Sequence, residues 1–205
     1  MTRAFRPDPL PPTLLDELID LARRAPAAGN TAGLRFVVLD RPPDVDRYWS
    51  VTLPADRRTA FPWPSLLAAP VLVVACVSAD AYTDRYGAAD KQRRPAASAE
   101  ARRALIRPDG WSVPYWYVDG GMAVMTLLLA AEAVGLGALF FGLFENEADV
   151  RSLLRIPDDW QPLGTVALGW PDPEARQRSR SVGARPRPGL DELRYRGTWP
   201  SAQSR

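Results

Sequence analysis

The sequence predicts one domain of mixed helices and strands, and three observations carry that expectation. A chain of 205 residues is long enough to bury a real core yet short enough to be a single unit, residues 1–205. Apolar residues recur at helical spacing near the start (Leu14, Leu18, Leu21, Ala22, Ala25) and form a nearly uncharged block from Pro114 to Val134. Between and after them lie short apolar runs of strand length, such as Val71 to Val77.

Taken in order, Thr13 followed by Asp16 resembles a capping box, so a first helix of about three turns is expected behind it. Leu34 to Asp40 reads as a strand, Val45 to Val51 as a short helix, and Pro62 and Pro64 interrupt regular structure before the strand Val71 to Val77. Charge then rises and large aliphatics thin out from Asp80 to Gly110, which marks residues 80–113 as a mobile, partly helical excursion of the kind that forms lids. The uncharged block Pro114 to Val134 reads as a helix buried on every side, inside the domain or at a dimer interface. Within it, Gly120-Gly121 would let a second backbone or a ligand come close. Gly135-Leu136-Gly137 ends that helix, Ala138 to Phe144 is extended, Asn146 to Leu154 is an amphipathic helix, and Thr165 to Trp170 supplies the last core strand. Residues 171–205 begin with Pro171 and Pro173 and become rich in Arg and Pro from Arg176, a tail with little core of its own that is either disordered or folded onto something else, most naturally a partner subunit.

Composition narrows the chemistry. No histidine is present, which removes the commonest general base, the histidine-dependent nucleophile systems and most zinc sites. The one cysteine, Cys76, sits in an apolar run where a thiol acts as a small hydrophobe, so no disulfide forms within the chain. A formal net charge of +2 does not call for a polyanionic partner, and no nucleic acid is expected, because the run Arg176 to Arg187 lacks interleaved aromatics. The N-terminal residues carry no apolar signal region, and the stretch Gly120 to Ala131 is too short to span a bilayer. No membrane association and a cytoplasmic location are therefore expected.

The run Arg24-Ala25-Pro26-Ala27-Ala28-Gly29-Asn30 has two readings: a helix end with an Asn-capped turn, favoured when the run is taken alone, or a ligand loop whose small side chains let main-chain groups approach a flat molecule. Gly135-x-Gly137 with Gly142 invites a dinucleotide reading, but these glycines lie between a helix and a strand, the wrong order for that fingerprint. What remains is extended backbone around Phe140 to Leu143 that could offer amides to a heterocycle. Arg185 and Arg187, held apart by Pro186, suit a phosphate dianion or form a solvated basic tail. Trp111, Tyr115, Trp116 and Tyr117 could stack on an aromatic substrate, together with Tyr82 and Tyr86 of the excursion, or could fill core, the commoner role. Asp119 reads as a buried acceptor for backbone or arginine.

In this order the pieces resemble the nitroreductase family of FMN-dependent oxidoreductases. The resemblance spans nearly the whole chain and rests on Thr2-Arg3-Ala4-Phe5, on Ala25 to Asn30 with its strand, on Ala130 to Gly137, and on Leu153 to Pro157 leading to Ala167-Leu168-Gly169-Trp170-Pro171. It implies an α+β fold with a central antiparallel sheet flanked by helices, built as an intertwined homodimer with C-terminal strand exchange and one FMN at each end of the interface. It also implies that Arg3 faces the flavin pyrimidine, and that Pro26, Ala27, Ala28 and Asn30 cover the cofactor of the other subunit. Gly142 and Leu143 would meet the N5 and O4 edge, and Arg185 and Arg187 the phosphate. Hydride would pass from NAD(P)H through N5 to a small aromatic, quinone or nitro compound. The alternatives are a flavin-dependent oxidase or dehydrogenase in tailoring or cofactor metabolism, and a flavin- or deazaflavin-binding protein without turnover.

The chain departs from the family pattern at informative places. Met1 stands where a phosphate-binding serine is usual, Ala27 replaces a serine, Ala32-Gly33-Leu34 replaces Gln-Pro-Trp, and Phe61 occupies a position that is often polar. A charge-assisted hydrogen bond contributes roughly 1.5–3 kcal/mol, so losing two predicts FMN affinity lower by roughly two to four decades.

Overall fold

The computed structural model describes residues 1–93, 98–175, 184–185 and 187–199. Its first helix, α1 (Pro12–Ala22), begins at a proline, whose fixed φ and missing N–H are harmless in a first turn. No side chain caps it, so Thr13 lies inside the helix and the expected capping box with Asp16 does not form. The buried stripe is Leu15, Leu18 and Ala22, while Leu21 faces outward, which shifts the expected apolar face by about one residue.

Among the described residues, four strands form one antiparallel sheet in the order β1 (Leu34–Leu39), β2 (Val71–Val77), β4 (Gln161–Gly169), β3 (Gly137–Phe141). Every residue of β2 is buried, because it is a central strand with helices on both faces, and this explains its unbroken apolar run. Alternate residues serve opposite layers. Val71, Val73 and Ala75 point with Val166 and Leu168 toward α1 and the long helix α7 (Tyr115–Ala133). Leu72, Val74 and Cys76 point with Ala167 toward α2 (Pro42–Thr52) and α8 (Glu147–Leu154). The register between β2 and β4 shifts between Ala75 and Cys76, opposite Gly164, whose φ is +145°. A Cβ at Gly164 would lie 2.6 Å from the Phe141 carbonyl oxygen, so glycine is required there. On the α2 side, the Tyr48 hydroxyl reaches Thr165 Oγ1 at 2.7 Å, joining helix to sheet through a buried polar pair.

The helix α7 is buried on one side only within a single chain. Trp116, Asp119, Gly120, Ala123, Val124, Leu127 and Ala131 face the core, whereas Val118, Met122, Met125 and Leu129 are exposed. Apolar residues therefore lie on both faces of α7, and among the described residues only one face is covered. Gly120 permits the close crossing, since a Cβ there would sit 2.6 Å from both Val77 and Leu163 side chains.

Between β2 and α7 the expected excursion folds as helices α4 (Ala79–Gly87), α5 (Ala89–Gln92) and α6 (Ala99–Leu105), after the small helix α3 (Ala55–Arg58) earlier in the chain. Ser78 and Ser98 cap α4 and α6 by accepting from the Ala81 and Ala101 amides. The N-terminal segment is pinned against the sheet: the Thr2 amide donates to the Ala138 carbonyl at 2.8 Å, and Phe5 bridges Pro171. Beyond it, α9 (Leu190–Leu193) and its neighbours expose Leu190, Leu193, Tyr195 and Trp199. Among the described residues, no helix is long and apolar enough to cross a membrane.

Candidate active site

A cleft of about 320 Å³ opens where the end of β3 meets α2 and the N-terminal segment. The pinned backbone at Thr2 delivers Arg3, whose guanidinium lies 5.1 Å from the centre of the Trp63 ring. Trp49 of α2 stacks on Phe141 at 5.8 Å with planes 12° apart, and Phe61 meets Trp63 edge-on at 5.9 Å. The strand ends at Phe141, and Gly142 and Leu143 line the cleft before Phe144, which takes a φ of +49° and stands exposed. Among the described residues, Arg3 carries the one charged side chain in the lining, and the buried indole nitrogen of Trp49 has no hydrogen-bond partner. A slot of aromatic faces with one cation suits a planar, electron-poor ring.

The run Arg24 to Asn30 forms a separate hollow of about 470 Å³, lined in part by Pro26, Ala27 and Asn30. Gly29 and Asn30 both adopt left-handed backbone, with φ of +67° and +55°. The loop is held by groups from two helices. Asp119 Oδ2 accepts from the Ala28 amide at 2.6 Å and from the Tyr82 hydroxyl at 2.7 Å, and Arg85 Nε donates to the Gly29 carbonyl at 2.9 Å. Thr31 closes the turn by donating from Oγ1 to the Ala28 carbonyl at 2.6 Å. Burial, reinforced by the Asp119 hydrogen bond and charge, pushes the Tyr82 hydroxyl far above the ordinary tyrosine range, so it stays a proton donor.

Residues 1–170 match the nitroreductase family. The chain belongs to that family. An NADH dehydrogenase of Thermus thermophilus is 31% identical over 178 residues, covering 84% of this chain and 82% of that protein. Among solved structures, a nitroreductase family protein from Streptococcus pneumoniae superposes with a TM-score of 0.65 at 20% identity, covering 95% of this chain and 94% of that one. An oxidoreductase containing FMN superposes with a TM-score of 0.68 at 20% identity, covering 97% and 88%. At such identities the solved structures speak for a shared nitroreductase fold.

Within this nitroreductase-family chain the expected site residues fall into two groups that one copy does not unite. Arg3, Gly142 and Leu143 line the aromatic cleft, whereas Pro26, Ala27 and Asn30 line the other hollow, with Ala28 tied down on Asp119. Arg185 and Arg187 are exposed and make no ion pair among the described residues. Of the aromatic set, Tyr82 and Trp116 are buried and pack as core with Val77, while Tyr115 is 40% exposed. Trp111 joins them, meeting Tyr82, Tyr86 and Tyr115 edge-on at 6.0, 4.9 and 5.9 Å. Trp49 and Trp63 of the cleft were not legible in the sequence, since each sits in a segment whose signal is helix or proline turn and only the tertiary fold brings it beside Arg3.

Proposed function

We propose that this chain is an FMN-dependent oxidoreductase acting as a homodimer, taking reducing equivalents from NAD(P)H and passing them to a small aromatic, quinone or nitro acceptor. The observation that carries this reading is the separation just described: a cleft with Arg3 and the Gly142-Leu143 backbone at one place, and a loop of small residues at another. Two copies related by symmetry would bring the loop of one over the cleft of the other. The exposed apolar face of α7 supports such pairing, because Val118, Met122, Met125 and Leu129 need a cover. Family membership makes the chain an NAD(P)H-dependent oxidoreductase, in keeping with the Thermus relative named as an NADH dehydrogenase. A structural neighbour described as containing FMN supports the choice of cofactor.

The cleft residues fit the ring system of FMN. The lining is largely aromatic, the buried Trp49 indole N–H has no acceptor among the described residues, and Arg3 would stabilise negative charge on a bound ring. Arg185 and Arg187 would hold the phosphate, since Arg3 is the one cationic side chain among the described residues of the cleft lining and both arginines are exposed. When bound, FMN supplies hydride-transfer chemistry between nicotinamide and acceptor, so no histidine is needed. An absorption spectrum of the purified protein, with identification of the released cofactor, tests the reading. Yellow protein that bleaches on anaerobic mixing with NADPH is expected. A colourless protein that rejects added FMN, or bound flavin that stays oxidised, would overturn it.

A further inference from the structure

The hydrogen bonds around the loop leave a pattern that the cofactor reading does not itself explain. The Ala28 N–H is taken by Asp119, the Ala28 carbonyl by Thr31, the Gly29 carbonyl by Arg85, and the Ala27 carbonyl by the Asn30 amide at 2.9 Å. These main-chain groups are thus engaged within the chain. The Asn30 carboxamide, by contrast, is exposed and bonds to nothing among the described residues. Tyr82 is 2% exposed and Asp119 6%, so the anchor under the loop is a buried polar pair packed beneath Trp111 and Trp116. Two glycines make room for it. A Cβ at Gly33 would lie 2.5 Å from the Tyr82 ring, and Gly120 lets α7 sit close enough to the sheet to bring Asp119 under the loop.

We infer that Asp119 and Tyr82 are positioning residues that fix the left-handed turn at Gly29 and Asn30 and thereby aim the Asn30 carboxamide at the cofactor. The inference rests on the flavin reading for the identity of that ligand. Its physical basis is that two consecutive left-handed residues, one of them not glycine, are unfavourable unless the surroundings over-determine them. A single carboxylate oxygen accepting two short hydrogen bonds, in a site with little water, supplies that determination. The excursion is joined to the same anchor: Arg85 grips Gly29 from α4 while its guanidinium pairs with both oxygens of Asp90 at 2.8 and 2.7 Å. The hold on the loop therefore extends from the central helix to α4 and α5.

The test compares Asp119→Ala, Asp119→Asn and Tyr82→Phe with the unaltered protein. Because both bonds end on one oxygen, the Oδ1 of an asparagine can accept both, whereas alanine accepts neither. In ligand-free protein, hydrogen–deuterium exchange of the peptide spanning residues 26–31 should accelerate in Asp119→Ala and Tyr82→Phe and return toward the original rate in Asp119→Asn. FMN titration followed by flavin fluorescence should show Kd raised by about tenfold in Asp119→Ala, less in Tyr82→Phe, and restored in Asp119→Asn. Unchanged loop exchange in both Tyr82→Phe and Asp119→Ala overturns the inference, as does a lowered Tm with unchanged Kd, which marks a merely structural role. Tyr82→Phe keeps the ring and the core, so the comparison survives if Asp119→Ala does not fold. Failure of the unaltered protein to bind FMN sinks the flavin reading instead, and the exchange rates then decide the positioning role on their own.

Discussion

Among single residues, Cys76 and Tyr48 show how burial sets chemistry. Burial pushes the Cys76 thiol from 9.0 up to about 11, and the Tyr48 hydroxyl from 10.0 up to about 12 against the opposing effect of its Thr165 hydrogen bond. In both cases the fold holds the neutral, protonated form. Their contribution to stability is therefore complete below about pH 9 and is lost as pH rises through the shifted values, toward pH 12. Denaturant midpoints measured from pH 8 upward should fall across this window, and iodoacetamide should label Cys76 only after unfolding. Rapid alkylation of the native protein at pH 8 would contradict the burial described. Cys76 as an inert hydrophobe was legible in the sequence, because its neighbours on both sides are aliphatic. The double acceptor role of Asp119 was only half legible, since an acid opening an apolar helix announces a buried partner without saying which one.

Between elements, the sheet depends on the shift in register at Ala75 and Cys76 that Gly164 permits. Gly164→Ala would place a methyl against the Phe141 carbonyl and the Phe140 ring, and should destabilise by about 1–3 kcal/mol, read as a lower urea midpoint with an unchanged slope. An unaltered midpoint would show that β3 and β4 part there at no cost. This bend was not legible, because Gln161 to Gly164 lacks the aliphatic run that exposed Thr165 to Trp170 as a strand. Helix boundaries behaved similarly. Proline at the first position of α1 outweighed a capping pattern one residue later, since the chain was already helical where Thr13 would have capped it. The strand β2, buried on both faces, was legible from end to end for the opposite reason: every position answered to the same demand.

For the molecule as a whole, α7 explains what a single sequence confounds. Its apolar residues on all sides gave one signal, yet two different surfaces produce it, one against the sheet and one exposed. Burying a Met or Leu side chain contributes about 1.5–3 kcal/mol, so covering Met122, Met125 and Leu129 would go far toward holding two copies together. Met125→Asp combined with Leu129→Asp should convert a dimer into monomers in sedimentation and weaken FMN retention with it. A wild-type protein that sediments as a monomer at micromolar concentration would remove the shared site from the proposal. The bridge between Phe5 and Pro171 bears on how the molecule is made. Phe5 is 1% exposed in the finished fold, and its bridge partner, the exposed Pro171, comes just after β4, far along the chain. At about 5–20 residues per second of synthesis, the N-terminal segment waits roughly 10–30 s on the ribosome before that partner exists. Arg3, which rides on the same segment, therefore enters the cleft late, and a nascent chain is long in translation before that cleft is complete.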